Sequence, residues 1–341
     1  MIHSCMRKKF NTSYHEIISL ENLLLAWKGF QKGKRNKKDV LIFERDLMHN
    51  ILQLHKDLIS KKYKHSPYEA FTVSDPKPRN IHKATVRDRV VHRAIYQKLY
   101  PWFDRNFVSD SFSCRINKGT HRAGKRFHRF IDEVGKNKHK NVWVLKCDIK
   151  KFFANIDHSV LKMILQRDIA DLDVLNLLFS IIDSFDSGRK NVGLPLGNLT
   201  SQLLVNVYMN EFDWFVKTKL KCKYYIRYAD DFVIMDSNIQ MIEKNLQDVS
   251  DFLHGKMKLE LHPDKVFIKT LANGVDFLGW IHFNDHCVLR TSTKKRMFRT
   301  LQKSKQINES VQSYLGLLGH GNAHGLREEV LQLFSESPNM I

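Results

Sequence analysis

The 341-residue sequence predicts an α+β fold, and three observations carry that expectation. Apolar residues at helical spacing mark the first sixty positions, two β-prone runs flank an acidic pair at Asp230-Asp231, and a basic stretch with helical character closes the chain. Hydrophobic residues at 43% and charged residues at 27% support a large core and exclude a disordered or collagen-like chain. Lys and Arg number 56 against 36 Asp and Glu, a formal net charge of +20 that points to a polyanionic partner. No stretch approaches the ~20 consecutive apolar residues of a spanning helix. The basic N-terminus lacks a following apolar segment, so a cytoplasmic protein with no membrane partner is expected. The five cysteines are scattered without a C-x-x-C pair, which fits a reducing compartment and no disulfide framework.

Taken in order, the run Lys32, Lys34, Arg35, Lys37 and Lys38 reads as a solvated connector between two helices. The second helix begins near Asp39 and sets Phe43, Leu47, Ile51, Leu54 and Leu58 on one apolar stripe. In Asp75-Pro76-Lys77-Pro78-Arg79-Asn80-Ile81 the prolines disfavour helix, leaving an extended basic arm with Lys77 and Arg79 on one face. Val142 to Leu145 is a short apolar strand that delivers Asp148 at its end, and a helix is expected to begin near Asp157 to Ser159. The glycine- and proline-bearing loop from Gly193 to Gln202 precedes an apolar helix over Leu203 to Phe215. Lys223 to Tyr228 and Phe232 to Met235 then form a tight hairpin with Ala229-Asp230-Asp231 at its tip. From Arg290 to Gln306 there is no acid, and basic helices are expected to the end.

Asp148, Asp230 and Asp231 each lie where a rigid strand can hold a carboxylate over a gap. Clustered carboxylates repel one another unless they share a cation. Hard oxygen ligands suit Mg²⁺, which also binds substrate phosphates, and two such ions ~3.5–4 Å apart can activate a 3′-hydroxyl and stabilise leaving pyrophosphate. An isolated Asp-Asp is more often a solvated turn, so the surrounding series decides.

Tyr228-Ala229-Asp230-Asp231 resembles the Y-x-D-D hairpin of reverse transcriptases, and the segment from Lys146 to His158 is similar to their first palm carboxylate motif. Lys77-Pro78-Arg79 with Arg87 to Val91, and Asp110 to Arg115 with Lys118 to His121, resemble the fingers motifs. Leu259 to Lys265 and Val275 to Trp280 resemble the last palm motifs, ending in the primer grip. The series runs in order from about residue 75 to 281. It implies a right-hand polymerase with N-terminal helices and fingers over 1–140, a palm with an antiparallel sheet over 141–287 and a small helical thumb over 288–341. The implied activity is RNA-directed DNA polymerisation: a primer is extended on an RNA template from dNTPs by two-metal nucleotidyl transfer, with Mg²⁺, or Mn²⁺ in its place.

The resemblance assigns roles residue by residue. Asp148 and Asp230 bridge the metals, Asp231 supports them, and the carbonyl of Ile149 completes the site. Phe153 matches the aromatic gate that leaves no room for a ribose 2′-hydroxyl, although beside Phe152 only one of the two rings can face the nucleotide. Lys77, Arg79 and Arg115 hold the triphosphate. Gly197 lets backbone approach the base pair, with Leu196 and Gln202 in the same dNTP-binding loop, and Lys265 matches a lysine that protonates pyrophosphate. Phe277, Leu278 and Gly279 form the primer grip, while Lys294, Lys295, Arg296 and Arg299 contact nucleic acid.

Within the family the chain looks similar to the bacterial group II intron-like branch. Its loop reads Leu196-Gly197 and ends Ser201-Gln202, where many relatives have Gln-Gly and Ser-Pro, a pattern associated with error-prone enzymes of diversity-generating retroelements. Antiphage-defence reverse transcriptases are similar, and a non-catalytic RNA-binding maturation factor is the rival from another class. Ile281 to Ile341 is too short for a thumb plus a further nuclease domain, so a template RNA and an accessory RNA-binding protein are the expected partners. His282 with His286 and Cys287, and His320 with His324, have spacings a metal could use. They sit in a strand-turn-strand and a glycine-broken stretch, and neither set is expected to bind one.

Overall fold

The structure is a computed structural model that describes residues 8–74, 78–136, 139–303 and 307–335. Four helices open the chain: α1 (Tyr14–Ile18), α2 (Leu20–Gln31), α3 (Lys38–Arg45) and α4 (Leu47–Ile59). Ser13 and Glu16 close the first turn of α1 with a reciprocal capping box. The connector from Lys32 to Lys38 is exposed throughout, as its charge requires. The single helix expected from Asp39 is instead two, broken at Asp46, whose φ of −115° and ψ of 36° leave the helical region. Asp is a poor interior helix former because its carboxylate competes for backbone donors. The apolar stripe survives the break: Ile51, Leu54 and Leu58 are buried, and Phe43 and Leu47 pack against the same core.

The proline-flanked arm forms one side of an exposed antiparallel ribbon, β1 (Glu69–Val73) with β2 (Arg79–Lys83). Lys77 lies outside the described residues. Thr85 caps the long α5 (Val86–Asn106) by accepting the Asp88 N–H, and α6 (Thr120–Gly135) follows. Next come β3 (Trp143–Asp148), α7 (His158–Asp168), α8 (Leu172–Asp183), α9 (Leu199–Trp214), β4 (Tyr225–Tyr228), β5 (Asp231–Asp236), α10 (Ile239–Met257) and β6 (Phe267–Thr270). Asp157 is the N-cap of α7, accepting the Val160 N–H at 2.9 Å.

The four strands pair antiparallel in the order β4-β5-β3-β6. Their side chains alternate between two cores. Tyr225, Phe232, Ile234, Leu145 and Cys147 face the core shared with α5 and α9, while Ile226, Val233, Met235 and Val144 face the core shared with α6. Burial on both faces explains why these strands read as continuous apolar runs. A three-stranded sheet follows, β7 (Val275–Phe277), β8 (Trp280–His282) and β9 (Cys287–Leu289), and then α11 (Thr291–Lys303), α12 (Ile307–Leu318) and α13 (His324–Ser335). Trp280, Met297, Leu318 and Val330 anchor the core of that last unit. Among the described residues no helix is long and apolar enough to cross a membrane.

Candidate active site

Asp148 ends β3 and Asp231 begins β5, and the two are direct cross-strand partners. The β4–β5 turn holds Asp230 beside them: Tyr228 pairs with Asp231, so Ala229 and Asp230 alone make the turn, and Ala229 takes a φ of +58°. Positive φ at the first central residue suits the twist of a tight hairpin but is costly for a residue with a Cβ. The Ile149 N–H donates to the Asp230 carbonyl at 3.1 Å, and the His262 N–H donates to the Asp148 carbonyl at 2.8 Å. The strand end, the hairpin tip and the segment carrying Lys265 are thereby stitched together.

Lys265 Nζ lies 2.9 Å from Asp148 Oδ1, and Lys146 Nζ lies 3.4 Å from Asp231 Oδ2. Even so, burial first, and then the neighbouring carboxylates, push the Asp231 carboxyl up to about 7. Burial and the Asp148 charge also raise Asp230, against the opposing pull of Lys265 and Arg79. Asp231 Oδ1 is buried and has no hydrogen-bond partner. Crowded carboxylates held up by burial, with one orphaned oxygen, are the donor set a hard divalent cation satisfies.

The remaining predicted residues separate into groups. Arg79 is exposed on β2 and close enough to act on Asp230. Phe152 is buried in the core and Phe153 is only partly so, which leaves Phe153 as the ring able to meet a ligand. Leu196 and Gly197 lie against β2, where His82 N–H donates to the Leu196 carbonyl at 3.0 Å. A Cβ on Gly197, whose φ is +109°, would meet Ile81 Cγ2 at 2.8 Å. Glycine at 197 therefore answers both to its positive φ and to the close approach of Ile81. Gln202 is partly buried in the first turn of α9. Phe277 is fully buried, and Leu278 and Gly279, both at positive φ, turn β7 into β8. On α11, Lys295 and Arg299 are exposed, Arg296 is half-buried, and Lys294 pairs with Glu329 at 3.7 Å.

Arg115 departs from the triphosphate-holding role that the resemblance implies. Its side chain is only 5% exposed and its donors are spent on Asp104 Oδ1 at 2.7 Å and on the carbonyls of Val108, Ser111 and Asp104. It fastens the end of α5 to the following loop, with four of its five N–H donors bonded inside the protein and its side chain shielded from solvent.

Two features escaped the sequence reading. Arg227, fully buried behind the hairpin, donates to Asp213, Asn206 and Ser111 and to the Ala229 carbonyl at 3.0 Å, so it holds the turn that presents Asp230. Arg122, Lys125, Arg126 and Arg129 line one open cleft along α6. Their three-one-three spacing is a helical stripe that could have been found beforehand.

Carboxylates gathered at one end of the two central strands of an antiparallel sheet, among basic helices, suit the chemistry of a nucleic-acid polymerase. The family model described as "Reverse transcriptase (RNA-dependent DNA polymerase)" matches residues 64–282. Protein YkfC of Escherichia coli (strain K12) is 26% identical over 265 residues, 66% of this chain and 69% of that protein. Group II intron-encoded protein LtrA of Lactococcus lactis subsp. cremoris is 24% identical over 303 residues, 68% of this chain and 48% of LtrA. The chain thus spans about half of that intron-encoded relative. Telomerase from Candida albicans, solved with a TWJ fragment of telomeric RNA, has a TM-score of 0.50 at 12% identity, covering 77% of this chain and 58% of that one, a likeness of fold. The chain belongs to the reverse transcriptase family, in its group II intron-like branch, and is an RNA-directed DNA polymerase of right-hand fold.

Proposed function

We propose that this chain extends a primer on an RNA template with dNTPs by two-metal nucleotidyl transfer, and that it is the error-prone enzyme of a diversity-generating retroelement. The observation that carries the first part is the meeting of Asp148, Asp230 and Asp231 at one sheet end with an orphaned Asp231 oxygen. Mg²⁺, or Mn²⁺, bound there would supply Lewis acidity to the primer 3′-hydroxyl and to the pyrophosphate oxygens. Asp148 and Asp230 would be the principal residues holding it, with Asp231 and the Ile149 carbonyl in support. Lys265, paired with Asp148 at 2.9 Å, is placed to turn to a phosphate once that carboxylate is otherwise neutralised. Arg79 reaches the triphosphate from the exposed ribbon, and the Phe153 ring excludes a 2′-hydroxyl. The Leu278-Gly279 turn carries the primer end, while the α6 stripe, Lys295 and Arg299 neutralise backbone phosphates. In this reading fingers extend to residue 140, the palm spans 141–287 and the thumb begins at 288.

The retroelement assignment rests on Leu196-Gly197, in the loop bonded to β2, and on Ser201-Gln202 in the first turn of α9. Partners would be a template RNA and an accessory RNA-binding protein, in a bacterial or phage-encoded cytoplasmic setting. Primer extension on an RNA template with dNTPs, with Mg²⁺ or with chelator, tests the activity. Sequencing the products tests the assignment: errors concentrated opposite template adenines support it, and an even spectrum favours the antiphage-defence reading. No synthesis under any divalent ion would leave the maturation-factor reading.

A further inference from the structure

We propose that His128, His282 and Cys287 form a zinc site, separate from the carboxylate centre, that clasps the primer-grip sheet to α6. The three residues come from distant parts of the sequence: His128 from α6, His282 from the end of β8, and Cys287 from the start of β9 directly across from it. One ligand atom from each lies within 4.8 Å of the others. His128 Nε2 and His282 Nδ1 are 3.2 Å apart. Two Zn–N bonds of ~2.0–2.1 Å at a tetrahedral angle separate their nitrogens by ~3.3 Å, so the imidazole pair already has the spacing that zinc requires. Closing Cys287 Sγ onto the same ion takes ~1 Å of side-chain movement.

The tautomer supports this. His282 Nε2 faces the Phe277 carbonyl at 3.3 Å, and a carbonyl only accepts, so Nε2 carries the proton and Nδ1 presents its lone pair towards His128. A metal-bound imidazole fastened at its other nitrogen to a backbone carbonyl is the usual outer support of a zinc ligand. Burial lowers His282 to about 4, which keeps the ring neutral and ligand-competent at neutral pH. Burial also raises the Cys287 thiol, but direct coordination deprotonates a thiol outright. Sulfur with two imidazoles selects zinc over the magnesium that suits carboxylates.

The site lines a cavity of about 520 Å³, also bordered by His121, His320 and Arg296, which leaves the fourth position to water. Its place gives it a role. Phe277, the carbonyl partner of His282, begins the turn through Leu278 and Gly279. The Cys287 carbonyl accepts the Asn322 N–H at 2.9 Å, joining β9 to the loop between α12 and α13. An ion here would tie α6, the β7–β8 turn and the C-terminal helices into one frame.

The test uses the full-length protein, stripped with chelator and titrated with Zn²⁺ and Co²⁺ without Mg²⁺ or nucleic acid. We expect uptake of one Zn²⁺ per chain, and a Co²⁺ form with a thiolate-to-metal charge-transfer band and tetrahedral ligand-field absorption. C287S should abolish the band, and C287S and H128Q should each weaken Zn²⁺ binding beyond the ~10–100-fold that loss of an outer-shell partner costs. D230N should leave both signals intact, which separates this site from the carboxylate centre. A wild-type Co²⁺ form with no thiolate band, or variants that bind Zn²⁺ as tightly as wild type, would overturn the proposal and leave a hydrogen-bonded histidine pair. The wild-type cobalt spectrum and the half-buried H128Q site keep the outcome readable if C287S fails to fold.

Discussion

Arg227 and Asp213, neither exposed to solvent, are joined by two N–H···O contacts of 2.7 Å immediately behind the acidic hairpin. Tyr225 adds a hydroxyl hydrogen bond to Asp213 at 2.5 Å. Two charges are removed from water here, and the arrangement is tolerable only because each is paired and hydrogen-bonded. Removing one partner strands the other, so Asp213→Ala or Arg227→Ala should cost ~3–5 kcal/mol in denaturant unfolding. Catalysis should fall in Arg227→Ala even under conditions where the fold persists, because the Ala229 carbonyl loses its anchor. A stability loss below ~1 kcal/mol would contradict this role.

Phe152 and Phe153 are neighbours with opposite expected fates. Phe152 is 3% exposed, and its truncation to Ala should cost ~3–5 kcal/mol. Phe153→Ala should instead leave stability less affected and raise rNTP use relative to dNTP use by on the order of 10-fold or more. Competition between the two nucleotide sets in primer extension measures it. Unchanged sugar selection would remove Phe153 from the gate.

The raised Asp231 carboxyl makes metal-free stability depend on pH. Between the ordinary value of 3.8 and about 7 the folded state holds a proton that the unfolded chain has released. Its contribution to stability is therefore full below about 4 and is lost as pH rises through about 7. Asp230 shares in this titration. Thermal melts in chelator should fall more steeply with pH for wild type than for Asp231→Asn, and Mg²⁺ should restore stability above pH 7. Parallel curves for the two proteins would contradict the shift.

Duplex binding should be strongly electrostatic. If the α6 stripe, α11 and their neighbours contact six to ten phosphates, affinity should fall roughly 10³- to 10⁵-fold between 50 and 200 mM salt. Replacing Lys125 or Arg129, both exposed on α6, should reduce the slope of log affinity against log salt by about 1 each. A flat response would exclude phosphate neutralisation as the source of affinity.

What was legible in the sequence follows from how local each signal is. Asp148, Asp230 and Asp231 stood out because strand patterning put each at a strand end or hairpin tip within a dozen positions, and the ordered motif series around them set them apart from a solvated turn. The palm strands were legible as apolar runs, which both-face burial produces. Arg115 and Arg227 could not be ranked from sequence, since the same side chain serves a phosphate or a buried carboxylate. Asp104 and Asp213, whose placement decides the matter, are set by tertiary packing. Gly197 answers to Ile81, over one hundred residues away, and His128 meets His282 only once α6 packs on the last sheet. The break at Asp46 lacked the Gly or Pro that would have marked it.

The central claim is that Asp230 belongs to a metal-dependent DNA-synthesis centre. The most direct measurement is Mg²⁺-dependent dNTP incorporation on a primed RNA template by Asp230→Asn, with RNA affinity measured in parallel. Loss of incorporation with RNA binding largely retained is the expected result, and incorporation at the wild-type rate would contradict a role for Asp230 in that centre.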